Sequence, residues 1–173
     1  MKLYFSDTHF NHKFMSIQRG FSNVEEMNRH IIEGINSRST YKDTLYCLGD
    51  FVWEGSYEDV KNILDQLKFK ELIFIKGNHD DALVNFLKFS NDIRYEIHTD
   101  LFIKDSGTNI HLYHYPIFDW NRKFHNQWHL YGHQHAIRSK GVEMMDLPYS
   151  HNVNVELNNY EPVSIKDITR KVR

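Results

Sequence analysis

The chain has 173 residues, 40% of them hydrophobic, so it is long enough to bury a core in one domain spanning residues 1–173. Its 21 basic and 23 acidic residues give a net charge of −2, so stable binding to duplex nucleic acid is not expected. Cys47 is the only cysteine, which excludes an intramolecular disulfide and favours a reducing, cytoplasmic location. No apolar run reaches the roughly 20 residues that cross a bilayer, so no membrane partner is expected. The composition leaves open whether the protein is a monomer or a homodimer.

Three segments begin with a serine that is followed three residues later by an acidic residue, the pattern of a helix-capping box. Apolar residues then recur at helical spacing, which predicts amphipathic helices packed on a core. The serine–acid pairs are Ser22 with Glu25, Ser56 with Asp59, and Ser164 with Asp167, and the last helix is predicted to run through Ile165, Ile168 and Val172. A further helix is predicted to begin near Ala82.

Short runs rich in β-branched and aromatic residues predict seven strands. They cover residues 3–5, 44–48, 72–75, 101–103, 110–113, 129–131 and 153–157. The first three alternate with predicted helices, which is typical of βαβ units and a parallel sheet. The later ones follow one another closely, which favours hairpins. The expected architecture is a mixed α/β sandwich.

Polar side chains with metal-binding atoms follow the predicted strands, at the ends where open α/β sheets bind their ligands. Residues two apart on an extended segment project to the same side. Asp7 with His9, and His133 with His135, are therefore each expected to direct two ligands into one cavity. The other side chains of this kind are Asp50, Asn78, His79, Asp80 and His114. The alternative is that these polar residues only form turns and helix caps.

The donor atoms in these clusters are carboxylate oxygens, imidazole nitrogens and one amide oxygen, without thiolates. This mixture suits Mn²⁺, Fe or Zn²⁺ and excludes a structural cysteine–zinc site. A central carboxylate such as that of Asp50 could bridge two cations. Two cations roughly 3.5–4 Å apart form the clamp that enzymes use for in-line displacement at phosphorus.

In chain order the motifs are Asp-x-His at 7–9, Gly-Asp at 49–50, Gly-Asn-His-Asp at 77–80, a histidine at 114 and Gly-His-x-His at 132–135. As a set they resemble the motifs of the calcineurin-like metallophosphoesterases, and they span most of the chain. The resemblance implies a four-layered αββα sandwich and two divalent metal ions. The implied ligands of the first ion are Asp7, His9, Asp50 and His135. Those of the second are Asp50, Asn78, His114 and His133. Mn²⁺ is the expected metal, with Fe, Zn²⁺ and Ni²⁺ as alternatives.

The same resemblance assigns catalytic roles to the end of the third motif. His79 falls where the family keeps its catalytic histidine, outside the metal coordination sphere. Asp80 is expected either to orient His79 or to cap the helix that follows. The segment from Gly49 to Gly55 departs from the protein Ser/Thr phosphatases, because it lacks the arginine that would bind a phosphoprotein phosphate. The chain is more similar to the small, minimal members of the family found in bacteria and their phages.

Three further residues are candidate substrate contacts: His12, Arg122 and His125. For Arg122 the alternative is solvated surface. The aromatic side chains at 115, 118, 120, 124 and 128 could stack a base at the site or pack a core, and packing is the favoured interpretation. The role of His129 stays undecided.

The sequence thus predicts a metal-dependent phosphoesterase that hydrolyses a phosphodiester or a small phosphomonoester through a two-metal-activated hydroxide. The expected partner is a small phosphate ester, with nucleotides among the candidates. One alternative is a non-catalytic, protein-binding scaffold with the same fold. The presence of His79 argues against it, because a known scaffold of this kind lacks that histidine. Another alternative is a nuclease that acts on single-stranded nucleic acid.

Overall fold

The computed structural model describes residues 1–136 and 147–170, which form two four-stranded sheets. The first sheet is parallel throughout, with the strand order β1 (Lys2–Phe5), β2 (Thr44–Cys47), β3 (Glu71–Ile75) and β4 (Tyr95–His98). The second sheet has the order β5 (Asp100–Asp105), β6 (Thr108–Tyr113), β7 (Trp128–Tyr131) and β8 (Ser150–Asn152). Only the β5–β6 pair in it is antiparallel. The chain is therefore the α/β sandwich that the sequence predicted.

Helices connect the strands of the first sheet and follow the second. The α-helices are α1 (Lys13–Gln18), α2 (Val24–Arg38), α3 (Tyr57–Leu64), α4 (Asp81–Phe89) and α5 (Ile165–Arg170). Two short 3₁₀ helices cover Lys123–His125 and Val155–Leu157. Val172, which the sequence placed in the last helix, lies outside the described residues.

Two of the three predicted capping boxes form as expected. Ser56 and Asp59 exchange the reciprocal side-chain and backbone bonds of a capping box at the start of α3, and Ser164 and Asp167 do the same before α5. The predicted cap of α2 is wrong by one residue. Asn23 is the N-cap and accepts from the Glu26 amide, because its amide oxygen can play the same role as a serine hydroxyl.

Two hydrophobic clusters hold the layers together. Helices α2, α3 and α4 pack on one face of the first sheet, where Met27, Ile31 and Leu64 meet strand residues such as Leu45. The second cluster lies between the sheets and joins Tyr4 and Tyr46 of the first to residues of the second, with Ile165 and Ile168 of α5 added at one edge. Burial of each such side chain contributes roughly 1.5–3 kcal/mol.

Some strand predictions were wrong. The predicted strand at 153–157 does not form: β8 ends at Asn152, and Val155–Leu157 form a 3₁₀ helix. Asparagines cause this change: the Asn154 side chain accepts from the Glu156 amide and starts a turn. The sequence missed β4, which is short and mostly polar, and among the later strands only β5 and β6 form a hairpin. Within the described part of the chain, no helix is both long and apolar enough to cross a membrane.

Candidate metal centre

The predicted metal-binding side chains gather at one end of the sandwich because five strands end there. Asp7 follows β1, Asp50 follows β2, and Asn78 follows β3 in the first sheet. His114 directly follows β6, while His133 and His135 follow β7, in the second sheet. The parallel pairing within each sheet brings these carboxyl-terminal strand ends to the same edge.

The first cluster consists of Asp7, His9 and His135, whose ligand atoms all lie within 4.8 Å of one another. The Nε2 atoms of the two histidines are 3.2 Å apart, and Nε2 of His135 lies 3.6 Å from Oδ1 of Asp7. All three side chains are buried. Three donors therefore face a common point that solvent hardly reaches.

The second cluster consists of Asp50, His114 and His133, again with ligand atoms within 4.8 Å of one another. Nε2 of His114 lies 3.6 Å from Oδ2 of Asp50 and 3.0 Å from Oδ1 of Asn78. Nδ1 of His114 is 2.7 Å from the carbonyl oxygen of Leu48, which fixes the ring and leaves Nε2 with its lone pair toward the cluster. His133 is exposed, so this cluster is the more open of the two.

Asp50 belongs to the second cluster and also faces the first. Its Oδ2 atom is 3.7 Å from Nε2 of His9 and 3.6 Å from Nε2 of His114. Its other oxygen, Oδ1, accepts a hydrogen bond from the backbone amide of His79 at 2.9 Å. One carboxylate oxygen is thus held in place by the backbone while the other faces both clusters, which supports the bridging role predicted for Asp50.

The backbone directs these side chains in an unexpected way. Asp7, His9, Asp50 and His133 all have positive φ, between 48° and 66°, which non-glycine residues rarely adopt and which costs of order 1–3 kcal/mol each. The premise that Asp7 and His9 lie on an extended segment was therefore wrong, although their side chains do converge. Each left-handed residue turns the chain sharply just after a strand, so ligands close in sequence reach the same cavity.

Glycine is required beside two of the ligands. A Cβ atom on Gly132 would overlap the Asp7 carboxylate and the Ser6 hydroxyl. One on Gly49, whose φ is +94°, would overlap the imidazole ring of His114. These close approaches explain why glycine precedes a ligand in both motifs.

The electrostatics of the clusters favour a cation. Burial raises the pKa of Asp7 to about 6, while burial lowers the pKa of His9 far below its usual range and keeps that ring neutral. Nδ1 of His9 is buried and has no hydrogen-bond partner within the part of the chain that the structure describes. Among the residues described as lining the cavity there is no lysine or arginine that would neutralise the Asp50 carboxylate. The donor set therefore fits divalent metal ions, and Cys47 adds no ligand because it is buried in the core with a raised pKa.

The clusters open into a cavity of about 120 Å³ that is lined by His12, Met15, Trp53, Asn78 and His79 in addition to the ligands His9, Asp50, His133 and His135. The Trp53 indole stacks on the ring of His12 with centroids 4.0 Å apart, and its centroid is 4.5 Å from that of His79. His79 thus reaches the cavity, and its packing against Trp53 restrains the ring. Trp53 and Met15 were missed in the sequence, where nothing distinguished them from core residues.

Asp80 has a different role from the two expected for it. Its carboxylate accepts hydrogen bonds from the backbone amides of Asp50, Phe51 and Gly77, at 3.0, 2.8 and 2.7 Å. In residues 1–136 and 147–170 it makes no hydrogen bond to the His79 ring, and its side chain does not cap α4. Asp80 is therefore a positioning residue, because it holds the turn that presents Asp50.

The candidate substrate contacts separate into two groups. His12 lines the cavity. Arg122 and His125 are exposed, at the start and end of the first 3₁₀ helix, and neither is among the residues described as lining the cavity. Their contact with substrate stays a prediction.

The aromatic residues of the same region do not act as one group. Trp120 and Trp128 are 6% and 5% exposed and pack in the protein, whereas Phe118 and Phe124 are 75% and 86% exposed. The ring centroid of Tyr115 lies 4.7 Å from that of His133, so this residue borders the site. The favoured interpretation, that these aromatic side chains pack a core, is therefore correct for Trp120 and Trp128 and not for Phe118 and Phe124.

His129 belongs to the fold. Its Nε2 atom accepts from the Ile117 amide at 3.2 Å, and Trp120 covers its ring on the outer face of the second sheet. Burial lowers the pKa of His129 to about 4, so this ring is neutral in the folded protein.

Two buried residues behind the first cluster were also missed. Glu156 lies 2.7 Å from Nδ1 of His135, and Arg19 donates both to the Glu156 carboxylate and to the backbone carbonyl oxygen of Asp7. Neither belongs to a motif, so only the folded structure shows that they are near the site.

Comparisons with known proteins agree with this geometry. Residues 1–147 match the family of the calcineurin-like phosphoesterase superfamily domain. An uncharacterized protein of Methanocaldococcus jannaschii, MJ1445, is 34% identical over 170 residues, which cover 96% of this chain and 88% of the relative. The crystal structure of AQ665, a protein of unknown function from Aquifex aeolicus, superposes with a TM-score of 0.71 at 26% identity and covers 99% of this chain and 98% of the other. The chain therefore belongs to the calcineurin-like phosphoesterase superfamily.

Proposed function

We propose that the protein is a dinuclear metal-dependent phosphoesterase that hydrolyses a phosphodiester or a small phosphomonoester. The observation that carries this proposal is the position of Asp50, with one carboxylate oxygen 3.7 and 3.6 Å from the imidazole nitrogens of two separate clusters. Two clusters that share one carboxylate match the donor arrangement of a two-metal phosphoryl-transfer site.

Divalent cations, when bound there, would activate water and neutralise charge on the phosphoryl oxygens. The residues of the chain supply the rest of the chemistry. Asp50 and His79 are tied together, since the His79 amide donates to Oδ1 of Asp50 at 2.9 Å. The His79 ring also packs on Trp53 at the cavity wall. A ring held in this way can give a proton to the departing alkoxide, as a general acid does.

The size and polarity of the cavity limit the substrate. About 120 Å³ holds several water molecules or a phosphoryl group, so the leaving group extends into solvent past His12 and Trp53. A small phosphate ester, with nucleotides among the candidates, is the substrate class that fits. Mn²⁺ is the proposed metal, and the oxygen and nitrogen donors without thiolate are compatible with it. The single, buried Cys47 supports a cytoplasmic location.

The first test of this function is hydrolysis of bis(4-nitrophenyl) phosphate by protein that has been stripped with a chelator and reloaded with Mn²⁺. We expect turnover that depends on metal and disappears in Asp50→Asn. If no divalent metal supports turnover of this diester, of nitrophenyl phosphate or of a panel of nucleotides, the protein is a binding scaffold and the proposal is wrong.

The second test addresses His79. The variant His79→Ala is expected to keep its metals and to lose roughly 10²–10⁴-fold in kcat for an alkyl ester, because general acid catalysis contributes that much. The deficit should shrink for nitrophenyl esters, whose leaving group departs without a proton. His30→Ala is a matched control, since His30 is exposed on α2 and does not line the cavity. An equal deficit for good and poor leaving groups would show that His79 does not act as a general acid.

A further inference from the structure

A buried arginine lies directly behind the first metal cluster. The Arg19 side chain is 0% exposed, and Arg19 directly follows α1, which contributes Met15 to the cavity lining. Its Nη1 donates to the carbonyl oxygen of Thr8 at 2.8 Å, and its Nη2 donates to that of Asp7 at 2.7 Å. These two carbonyl groups lie within the turn in which Asp7 and His9 have positive φ. Arg19 therefore fixes the strained turn that carries two of the three ligands.

The same guanidinium reaches the third ligand through a carboxylate. Nε and Nη2 of Arg19 lie 2.9 and 2.8 Å from Oε1 of Glu156, which is 3% exposed. That oxygen is also 2.7 Å from Nδ1 of His135, and Oε2 accepts from the Ala136 amide at 3.1 Å. A carboxylate in this position requires the proton of His135 on Nδ1, so Nε2 presents its lone pair to Asp7 and His9.

We propose that Arg19 and Glu156 are positioning residues that set the metal affinity of the first cluster. Arg19 and Glu156 are 137 residues apart in sequence and form one buried ion pair. Arg19 holds the turn that carries Asp7 and His9, and Glu156 holds His135, so this pair contacts the supports of all three ligands of the cluster. Neither residue lines the cavity, so neither can touch the substrate phosphate. This inference rests on the proposed metal centre.

An ordinary structural role is the alternative, because a buried arginine and glutamate must pair whatever surrounds them. The geometry of the contacts indicates that stability is not the sole role of this pair. A pair present only for stability has no reason to direct two guanidinium donors at the backbone of one metal cluster and a carboxylate acceptor at its histidine. Burial of both charges also costs free energy that an apolar pair would avoid. The two explanations differ in what they predict for metal binding.

The test is calorimetric titration of chelator-stripped protein with Mn²⁺, which gives the dissociation constant of each ion without turnover. In Glu156→Gln, the amide oxygen can still accept from Nδ1 of His135 but the pair with Arg19 is lost, so one ion should bind several-fold more weakly. Glu156→Ala should weaken the same ion by roughly 10–100-fold, the usual effect of removing a partner that orients a metal-binding histidine. The other ion should bind as in the wild type.

Glu156→Ala leaves a buried arginine without its partner and could unfold the protein. The double variant Arg19→Met/Glu156→Leu removes both charges while keeping similar volume, so it is expected to fold, as far-UV circular dichroism will check. It should show the same selective loss of one ion. If the folded double variant binds both ions as tightly as the wild type, or weakens both equally, the proposed positioning role is wrong.

A matched control comes from another ion pair of the same construction. Nη1 of Arg38 donates to the Pro162 carbonyl at 3.0 Å and Nη2 to Asp167 at 2.7 Å, so this arginine also joins a carboxylate to a backbone carbonyl. It lies at the end of α2, and Arg38→Lys should leave both metal affinities unchanged. An equal effect of Arg38→Lys and Arg19→Lys on Mn²⁺ binding would contradict the proposal.

Nuclear magnetic resonance provides a readout that stability alone does not change. Long-range ¹H–¹⁵N correlation of the His135 ring in the metal-free protein should show a proton on Nδ1 in the wild type and a mixture of tautomers in the double variant. A pure Nδ1–H tautomer in both would contradict the role of Glu156. If the wild type binds two ions but hydrolyses no ester, the proposed function fails while these measurements still decide this inference.

Discussion

Replacing Asp7 with asparagine should stabilise the metal-free protein. Asp7 is completely buried, and this burial raises the pKa of its carboxyl group from 3.8 to about 6. Ionisation of this carboxyl group therefore costs more free energy in the folded protein than in the unfolded chain, unless a cation compensates its charge. Asparagine has nearly the same shape and carries no charge.

The magnitude follows from the pKa. A rise of about two pKa units, at about 1.36 kcal/mol per unit, means that the ionised Asp7 costs the metal-free protein about 3 kcal/mol. The Ser6 hydroxyl and the His133 amide both donate to the carboxylate. Asparagine keeps only one acceptor oxygen, which offsets about 1 kcal/mol. The net gain expected for Asp7→Asn is about 2 kcal/mol.

The sign of the effect depends on pH. Below pH 3.8 the carboxyl group is protonated in both the folded and the unfolded chain, so the variant has no electrostatic advantage. The advantage grows as the pH rises from about 4 to about 6 and is complete above that range. Urea denaturation in the presence of a chelator, at pH 4.5 and 7.5, measures it directly.

Added Mn²⁺ should reverse the order, because only the wild type keeps the ligand. An ion at 100 times its dissociation constant stabilises the folded state by about 2.7 kcal/mol. If Asp7→Asn is less stable than the wild type at pH 7.5 with chelator, or if its advantage is the same at both pH values, burial of charge at Asp7 does not control the stability of the metal-free protein.

Four further substitutions test other parts of the site and the fold. Asp50→Asn should lose both metal ions, whereas Asn78→Ala should weaken only the second, as elemental analysis after gel filtration will show; two tightly bound ions in Asp50→Asn would refute the bridging role. Gly132→Ala should destabilise the protein by roughly 1–3 kcal/mol, because its methyl group overlaps Asp7, and calorimetric melting of the metal-free protein should detect this loss. Burial lowers the pKa of His129 to about 4, so the folded state resists protonation and loses stability as the pH falls from about 6.5 towards 4. Between pH 7.5 and 5.5, the chelated wild type should lose about 1 kcal/mol more than His129→Gln, and equal losses would mean that His129 is not buried in its neutral form.

The sequence predicted the metal clusters because polar residues interrupt apolar strands at defined points. Asp7 and Asp50 each follow a run of buried side chains, and parallel strands bring such ends together. The same reasoning missed the left-handed backbone at Asp7, since no residue type other than glycine signals positive φ strongly. The clusters were therefore predicted from strand position, while the turns that aim the ligands were not.

What the sequence could not predict depends on contacts between distant parts of the chain. Glu156 lies in a segment predicted as a strand, and only the asparagine-initiated turn brings it to His135. Asp80 was expected to act on its neighbours, but its bonds to Asp50 and Phe51 cross to the adjacent strand end. Sequence spacing describes neighbours along the chain and gives no information on such partners.

The ligands of each cluster come from both sheets, and this distribution links metal binding to the order of assembly. The first sheet supplies Asp7 and Asp50, whereas the second supplies His114, His133 and His135. Neither sheet alone holds a complete cluster, so a partly folded chain in which the sheets have not docked is expected to have only weak metal affinity. We therefore expect tight metal binding only after the two sheets have docked. Bound ions should therefore slow the exchange of backbone amide hydrogens in β1 and β7 together, because the same ions hold the ends of both strands in place.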